Sequence, residues 1–150
     1  MPGSYRDAAL DEENMNDVLA SLVPEEQDRD KAVKAGEKYA FEQTGIASLA
    51  YNTLYKLCYL NKAMPEQMAA ADKLLFMPNL IEYLFSGVVH SEYSIASTSQ
   101  LLDMKEKKWA SELIRKAGID PKLLAPLDYA GKDLGPLRPE IAKEVGQENL

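Results

Sequence analysis

Few side chains in this sequence are of types, or at spacings, that could do chemistry. Arg6 and Asp7 follow Tyr5 in a stretch with no periodic pattern. They read either as solvated loop or as a guanidinium poised near a polar ligand, with Asp7 orienting it. Asn52 and Thr53 are the polar exceptions in an otherwise apolar run, where local bonding to the helix backbone is the plain reading. Cys58 is the only cysteine and reads as a small buried hydrophobe, since no sequence neighbour suggests a lowered pKa. His90 is the only histidine. Alone it cannot anchor a metal, and no zinc-type spacing exists. No nucleophile elbow supports a Ser-His-Asp reading. Ser97, Thr98 and Ser99 cluster three hydroxyls that bond nearby backbone and favour a turn. Neither a GxxxxGK[ST] nor a GxGxxG loop occurs, and no Asp is marked as a base by its neighbours.

The elements that must position these groups are mostly helices. At 150 residues a single domain with a real core is expected. Apolar residues make up 46% and charged residues 27%, an ordinary globular balance. A net charge of −7 argues against nucleic acid and against an anionic membrane surface. One cysteine suits a reducing compartment, no apolar run approaches a membrane span, and residues 1–10 do not resemble a secretory signal. A cytoplasmic location is therefore expected.

Asp11 can cap a helix over 12–22, with Met15, Val18, Leu19 and Leu22 on one face. Pro24 followed by Glu25 and Glu26 predicts a second helix start. The alternating charges of 25–38 predict a solvated face, weakened by Gly36 by about 1 kcal/mol relative to Ala. Tyr39, Ala40 and Phe41 return it to the core, and Gly45 ends it. Ser48 is expected to cap a helix running to about Asn61, apolar nearly all round and so buried or pressed on a partner. A short helix at Met64–Ala71 and an extended link at Leu74–Met77 follow. Pro78 then restarts a helix whose buried stripe is Leu80, Ile81, Leu84 and Phe85, closed by Gly87. Met64, Met68 and Met77 read as core filler. Val88, Val89, Tyr93 and Ile95 give 88–95 some β character before the Ser/Thr turn. A charged turn at 104–108 leads into a helix carrying Trp109, Leu113, Ile114 and Ala117, capped by Gly118. Residues 126–135 read as loop, and Pro139 opens a last helix ended by Gly146. The fold class is mainly α with one or two short strands.

The order of pieces resembles the sugar-kinase family that shares an FGGY signature, and most of all its rhamnulokinase branch. Tyr5-Arg6-Asp7 matches the YRD of rhamnulokinases. Thr44-Gly45-Ile46 and Tyr51-Asn52-Thr53-Leu54-Tyr55-Lys56-Leu57 are similar to their TGI and FNTLYQL segments. Leu74–Pro78 and Tyr83–Gly87 resemble LLxxPDxxxYxLTG, and Glu92–Asp103 resembles EYTNASTTQLLD. Trp109, Gly118-Ile119, Gly131 and Leu134-Gly135 complete the order.

The resemblance implies the helical portion of an actin-like, ribonuclease-H-like α/β sugar-kinase domain. It implies a parent enzyme that moves the γ-phosphoryl group of Mg·ATP to a ketose hydroxyl, here L-rhamnulose, giving L-rhamnulose 1-phosphate. Such chemistry is mostly positioning and charge neutralisation. The family's phosphate-binding segment would lie before Met1 and its catalytic Asp, in an HDT-type motif, after Leu150. Residues 1–150 are therefore expected to be an internal part of the sugar-binding domain. The nucleotide-binding domain would be absent, with no ATP or Mg bound and no activity alone. Carried over residue by residue, Tyr51 and Asn52 are the candidates for sugar contact, with Arg6 behind them; packing inside is the competing reading. Tyr51 stands where rhamnulokinases usually have Phe, and a Tyr here is familiar from glycerol kinases, where it touches the polyol. Ile95 replaces a usual Asn, and Asp28–Gly36 resembles an insertion.

Two further readings stay open. One is a kinase of another sugar or polyol, such as xylulose, fuculose or glycerol. The other is a non-catalytic helical module that self-associates through exposed apolar surface.

Overall fold

The structure, a computed structural model, describes residues 10–147. Tyr5, Arg6 and Asp7 lie outside them. Among the described residues the chain forms eight α-helices and four two-residue strands. The helices are α1 (Glu12–Ser21), α2 (Arg29–Thr44), α3 (Thr53–Ala63), α4 (Pro65–Ala70), α5 (Met77–Ser86), α6 (Tyr93–Ser97), α7 (Ser111–Lys116) and α8 (Pro139–Glu144). The strands are β1 (Ser91–Glu92), β2 (Leu102–Asp103), β3 (Lys108–Trp109) and β4 (Leu127–Asp128). β1 pairs with β4 in parallel, and β2 with β3 as an antiparallel hairpin. No described helix is long and apolar enough to cross a membrane.

Most starts and stops follow local chemistry. Asp11 caps α1 by accepting from Glu13 N at 3.2 Å. Gly45 ends α2 at φ 69°, and Gly87 ends α5 at φ 76°. The second helix begins five residues later than Pro24 predicts. Asp28 accepts from Lys31 N at 3.1 Å and Glu26 accepts from Asp28 N at 3.0 Å, so capping wins over the proline signal. Pro24 and Glu25 form a turn instead.

The charged helix α2 is not simply solvated. Ala32, Gly36, Ala40 and Thr44 recur every four residues and are all buried. This small-residue stripe lets α1 approach so closely that a Cβ on Gly36 would stand 1.9 Å from Leu19 O. Gly36, expected to weaken its helix, is what permits this packing. Phe41 stays exposed rather than joining the core. The core gathers Val18 and Leu19 of α1 with Leu22 at its C-terminal cap, Leu54 and Tyr55 of α3, and Leu113 and Ile114 of α7.

Three further expectations change. Residues 93–97 are helical despite their β-prone side chains. The Glu92 carboxylate accepts from Ser94 N at 2.9 Å and Ile95 N at 3.2 Å and nucleates a helical turn. Burial tends to raise that carboxyl, but bonds from Ser94, Ile95 and Ala130 outweigh it and hold it low. Trp109 belongs to β3, with its indole N–H donating to Ala125 O at 3.0 Å, and α7 starts after it. The expected buried stripe of α5 faces mostly outward: Ile81, Leu84 and Phe85 are exposed and Leu80 is half-buried, Met77 is exposed rather than core filler, and Asn79 is the residue buried on this helix. Amphipathic spacing marks an apolar face but not what covers it.

Cys58 is buried, and burial pushes its thiol from 9.0 up to about 11. The folded value is raised, so the contribution to stability is whole below about pH 9 and is lost as pH climbs through about 11. Denaturant midpoints should therefore fall over that window. A thiol reagent at about pH 8 should label the native chain only as fast as the core opens. Prompt stoichiometric labelling would contradict this burial.

Candidate functional site

The loop 46–52 joins α2 to α3 where a helix from Ser48 was expected. Thr44 Oγ1 donates to Ala40 O at 2.8 Å and accepts from Ile46 N at 3.3 Å, which turns the chain out of α2. Asn52 then stops the loop from becoming helix. Its Oδ1 accepts from Leu49 N at 2.8 Å and closes a turn over residues 49–52. Its Nδ2 donates to Thr98 O at 2.9 Å, and Leu54 N donates to Ser99 O at 3.1 Å. Gln100 Nε2 donates to Ile46 O at 3.0 Å and Ser48 Oγ at 2.9 Å. Four bonds thus stitch this loop and the first turn of α3 to the Thr98–Gln100 turn.

The turn has its own bracing. Ser99 Oγ donates to Ala96 O at 2.6 Å and accepts from Leu101 N at 3.0 Å. Ser97 and Thr98 donate to Ser94 O and Ile95 O. The hydroxyl cluster is turn structure, as its composition predicts.

The two described site candidates are adjacent in sequence but differ in kind. Tyr51 is 62% exposed, whereas Asn52 is 3% exposed. Tyr51 offers a phenol and a ring face to solvent from a fixed loop. Asn52 spends one acceptor site and one donor hydrogen on the fold, leaving a second of each. The buried Tyr55 hydroxyl lies beside Ser48 and Gln100; burial pushes it up to about 12 while those neighbours pull the other way. Arg6, the third candidate, falls outside the described residues.

A second polar group forms where α5 meets β4. His90 is buried, with Nε2 2.9 Å from Glu82 Oε2, off the line of a well-formed hydrogen bond, and Nδ1 3.7 Å from Asp128 Oδ2. Asn79 donates to Glu82 Oε2 at 2.8 Å and accepts from Glu92 N at 3.3 Å, and Lys132 Nζ reaches Asp128 Oδ1 at 2.6 Å. Sequence reading saw only a lone histidine, because its partners are distant in the chain. Nearby, Tyr93 stacks on Tyr129 with centroids 5.1 Å apart. Among the described residues no three His, Cys, Asp or Glu side chains gather as a metal site.

Residues 25–150 match the N-terminal domain of the FGGY family of carbohydrate kinases. The chain is 32% identical over 106 residues to a rhamnulokinase of Bacteroides thetaiotaomicron, a match covering 71% of this chain and 22% of that protein. It is 30% identical over 103 residues to an L-fuculokinase of Escherichia coli, covering 69% and 22%. A ligand-bound xylulose kinase from Lactobacillus acidophilus superposes with a TM-score of 0.73 at 20% identity, over 89% of this chain and 26% of that one. The chain spans about a quarter of the length of these relatives. The architecture is that of the helical portion of an actin-like, ribonuclease-H-like sugar-kinase domain. On the domain match above all, this chain belongs to the FGGY family of carbohydrate kinases.

Proposed function

We propose that this chain forms one wall of the sugar cleft in a ketose kinase that transfers phosphate from Mg·ATP, with L-rhamnulose as its acceptor. The product is L-rhamnulose 1-phosphate. The observation that carries the reading is Tyr51, an exposed phenol on a loop held at both ends by partly buried polar bonds. A ring of this kind packs on a sugar's carbon skeleton while its hydroxyl bonds a sugar hydroxyl. Asn52 holds the loop and has one amide hydrogen left for the sugar. Arg6 is the third contact. Nucleotide binding and the base that takes the acceptor proton belong to other parts of a longer polypeptide. Rhamnulokinases among the relatives support the choice of sugar; L-fuculose, xylulose and glycerol are the competing acceptors.

A substrate panel on the full-length polypeptide tests this. L-rhamnulose should give the highest kcat/KM, and residues 1–150 alone should release no ADP from Mg·ATP. A better ketose would replace the substrate, and turnover by the chain alone would remove the division of labour.

The exposed face of α5 favours a second reading, an association surface. Met77, Ile81, Leu84 and Phe85 lie on one side of a single helix. Under it, light scattering of the isolated chain should show oligomers that Leu84→Glu shifts to monomer. A monodisperse monomer would count against it.

A further inference from the structure

We infer that Gln100 is the positioning residue for the Tyr51 loop, gripping it at Ile46, 54 residues upstream, and so fixing where that phenol meets the sugar; this rests on the sugar-cleft reading above.

Three observations point to it. First, Gln100 has φ 60°, the left-handed region that a residue with a side chain normally avoids. That backbone twist sits in the turn just after Ser99, and the side chain reaches Ile46 and Ser48 across the interface. Second, Gln100 is fully buried beside the Tyr55 hydroxyl, yet its Oε1 has no well-formed hydrogen-bond partner among the described residues. A fold that needed only volume here would gain by using an apolar side chain. Strain together with an unsatisfied buried acceptor is tolerated where the remaining bonds matter. Third, those bonds are placed to matter. Nε2 spends one hydrogen on Ile46 O and the other on Ser48 Oγ. Asn52 and Leu54 secure the far end of the same loop on Thr98 and Ser99. Tyr51 lies between the two anchor points. With the Gln100 anchor gone, the ties left to the segment from Ile46 to Ala50 among the described residues are short-range, Ile46 N to Thr44 Oγ1 and the bonds between Leu49 and Asn52.

The mechanism is positional. Gln100 touches no substrate; it narrows the range of loop conformations, so the phenol is presented to the sugar already in place. Loss of the anchor should weaken sugar binding and leave the nucleotide untouched.

The test uses three variants. Gln100→Ala removes both bonds. Gln100→Asn tolerates the left-handed backbone but is one methylene short of its partners, which guards against misfolding of the alanine variant. Ser48→Ala removes one bond only. Hydrogen exchange on the 150-residue chain should show amides of 46–51 opening about tenfold more often in both Gln100 variants, and less so in Ser48→Ala, with α1 and α7 unchanged. In the full-length polypeptide the sugar KM should rise about fivefold while the KM for ATP stays constant. Exchange at 46–51 unchanged in the folded asparagine variant would overturn the inference. Faster exchange with an unchanged sugar KM in both Gln100→Asn and Tyr51→Ala would instead uphold the anchor and sink the sugar-cleft reading. Faster exchange with a sugar KM moved by Tyr51→Ala but not by Gln100→Asn would overturn the positioning role.

Discussion

Gly36→Ala should cost at least about 3 kcal/mol of stability, lowering the melting temperature by ~6–12 °C. Helix propensity alone says the reverse, because Ala is the better helix former by about 1 kcal/mol. Packing decides the sign. The added Cβ would sit 1.9 Å from Leu19 O and 2.6 Å from Leu19 C. Both are backbone atoms, so no rotamer change can relieve the overlap; α1 and α2 must separate. That would expose Val18, Leu19 and Leu22, three of the residues that anchor α1 in the core. Thermal melts of parent and variant check the sign directly. A variant as stable as the parent would mean that α1 and α2 do not cross so closely.

Asn52→Ala should cost about 2–4 kcal/mol, since it strands the partly buried Leu49 N and Thr98 O without partners. Ser97→Ala, which loses one exposed bond, should cost less than about 0.5 kcal/mol. Asn52→Asp adds a diagnostic. Its carboxyl still accepts from Leu49 N, but only its protonated form can donate to Thr98 O. The folded pKa of the introduced acid is therefore raised above its ordinary value of about 3.9. Its stabilising part is whole below that value and lost as pH rises through the folded pKa. The stability gap to the parent should widen from about pH 4 to pH 8. A gap independent of pH would show that the amide does not face Thr98 O.

Much of the scaffold was legible in local sequence. Asp11, Gly45, Gly87 and Pro139 mark helix ends because capping is decided within a turn of chain. Tertiary partners were not legible. Pro24 and Asp28 both signal a helix start, and only the packed structure selects Asp28. Tyr93 and Ile95 prefer strand, but the Glu92 cap overrides them. The α5 periodicity was read correctly as amphipathic and wrongly as buried, since spacing carries no information about the neighbour. Tyr51 and Asn52 stood out through family resemblance, and the structure separates an exposed ring from a buried brace. Gln100 gave no signal of its own: a polar residue in a turn is ordinary, and its partners lie 54 and 52 residues upstream. His90 was likewise visible as a residue and invisible as a contact, because Asp128 reaches it through the β1–β4 pairing.

The central claim is that these residues hold the sugar while the phosphate donor is handled elsewhere. Steady-state phosphorylation of L-rhamnulose by the full-length polypeptide, with and without Tyr51→Ala, addresses it most directly. The account predicts a rise of about tenfold in the sugar KM with the KM for ATP unmoved. An unchanged sugar KM, or a defect confined to ATP, would contradict it.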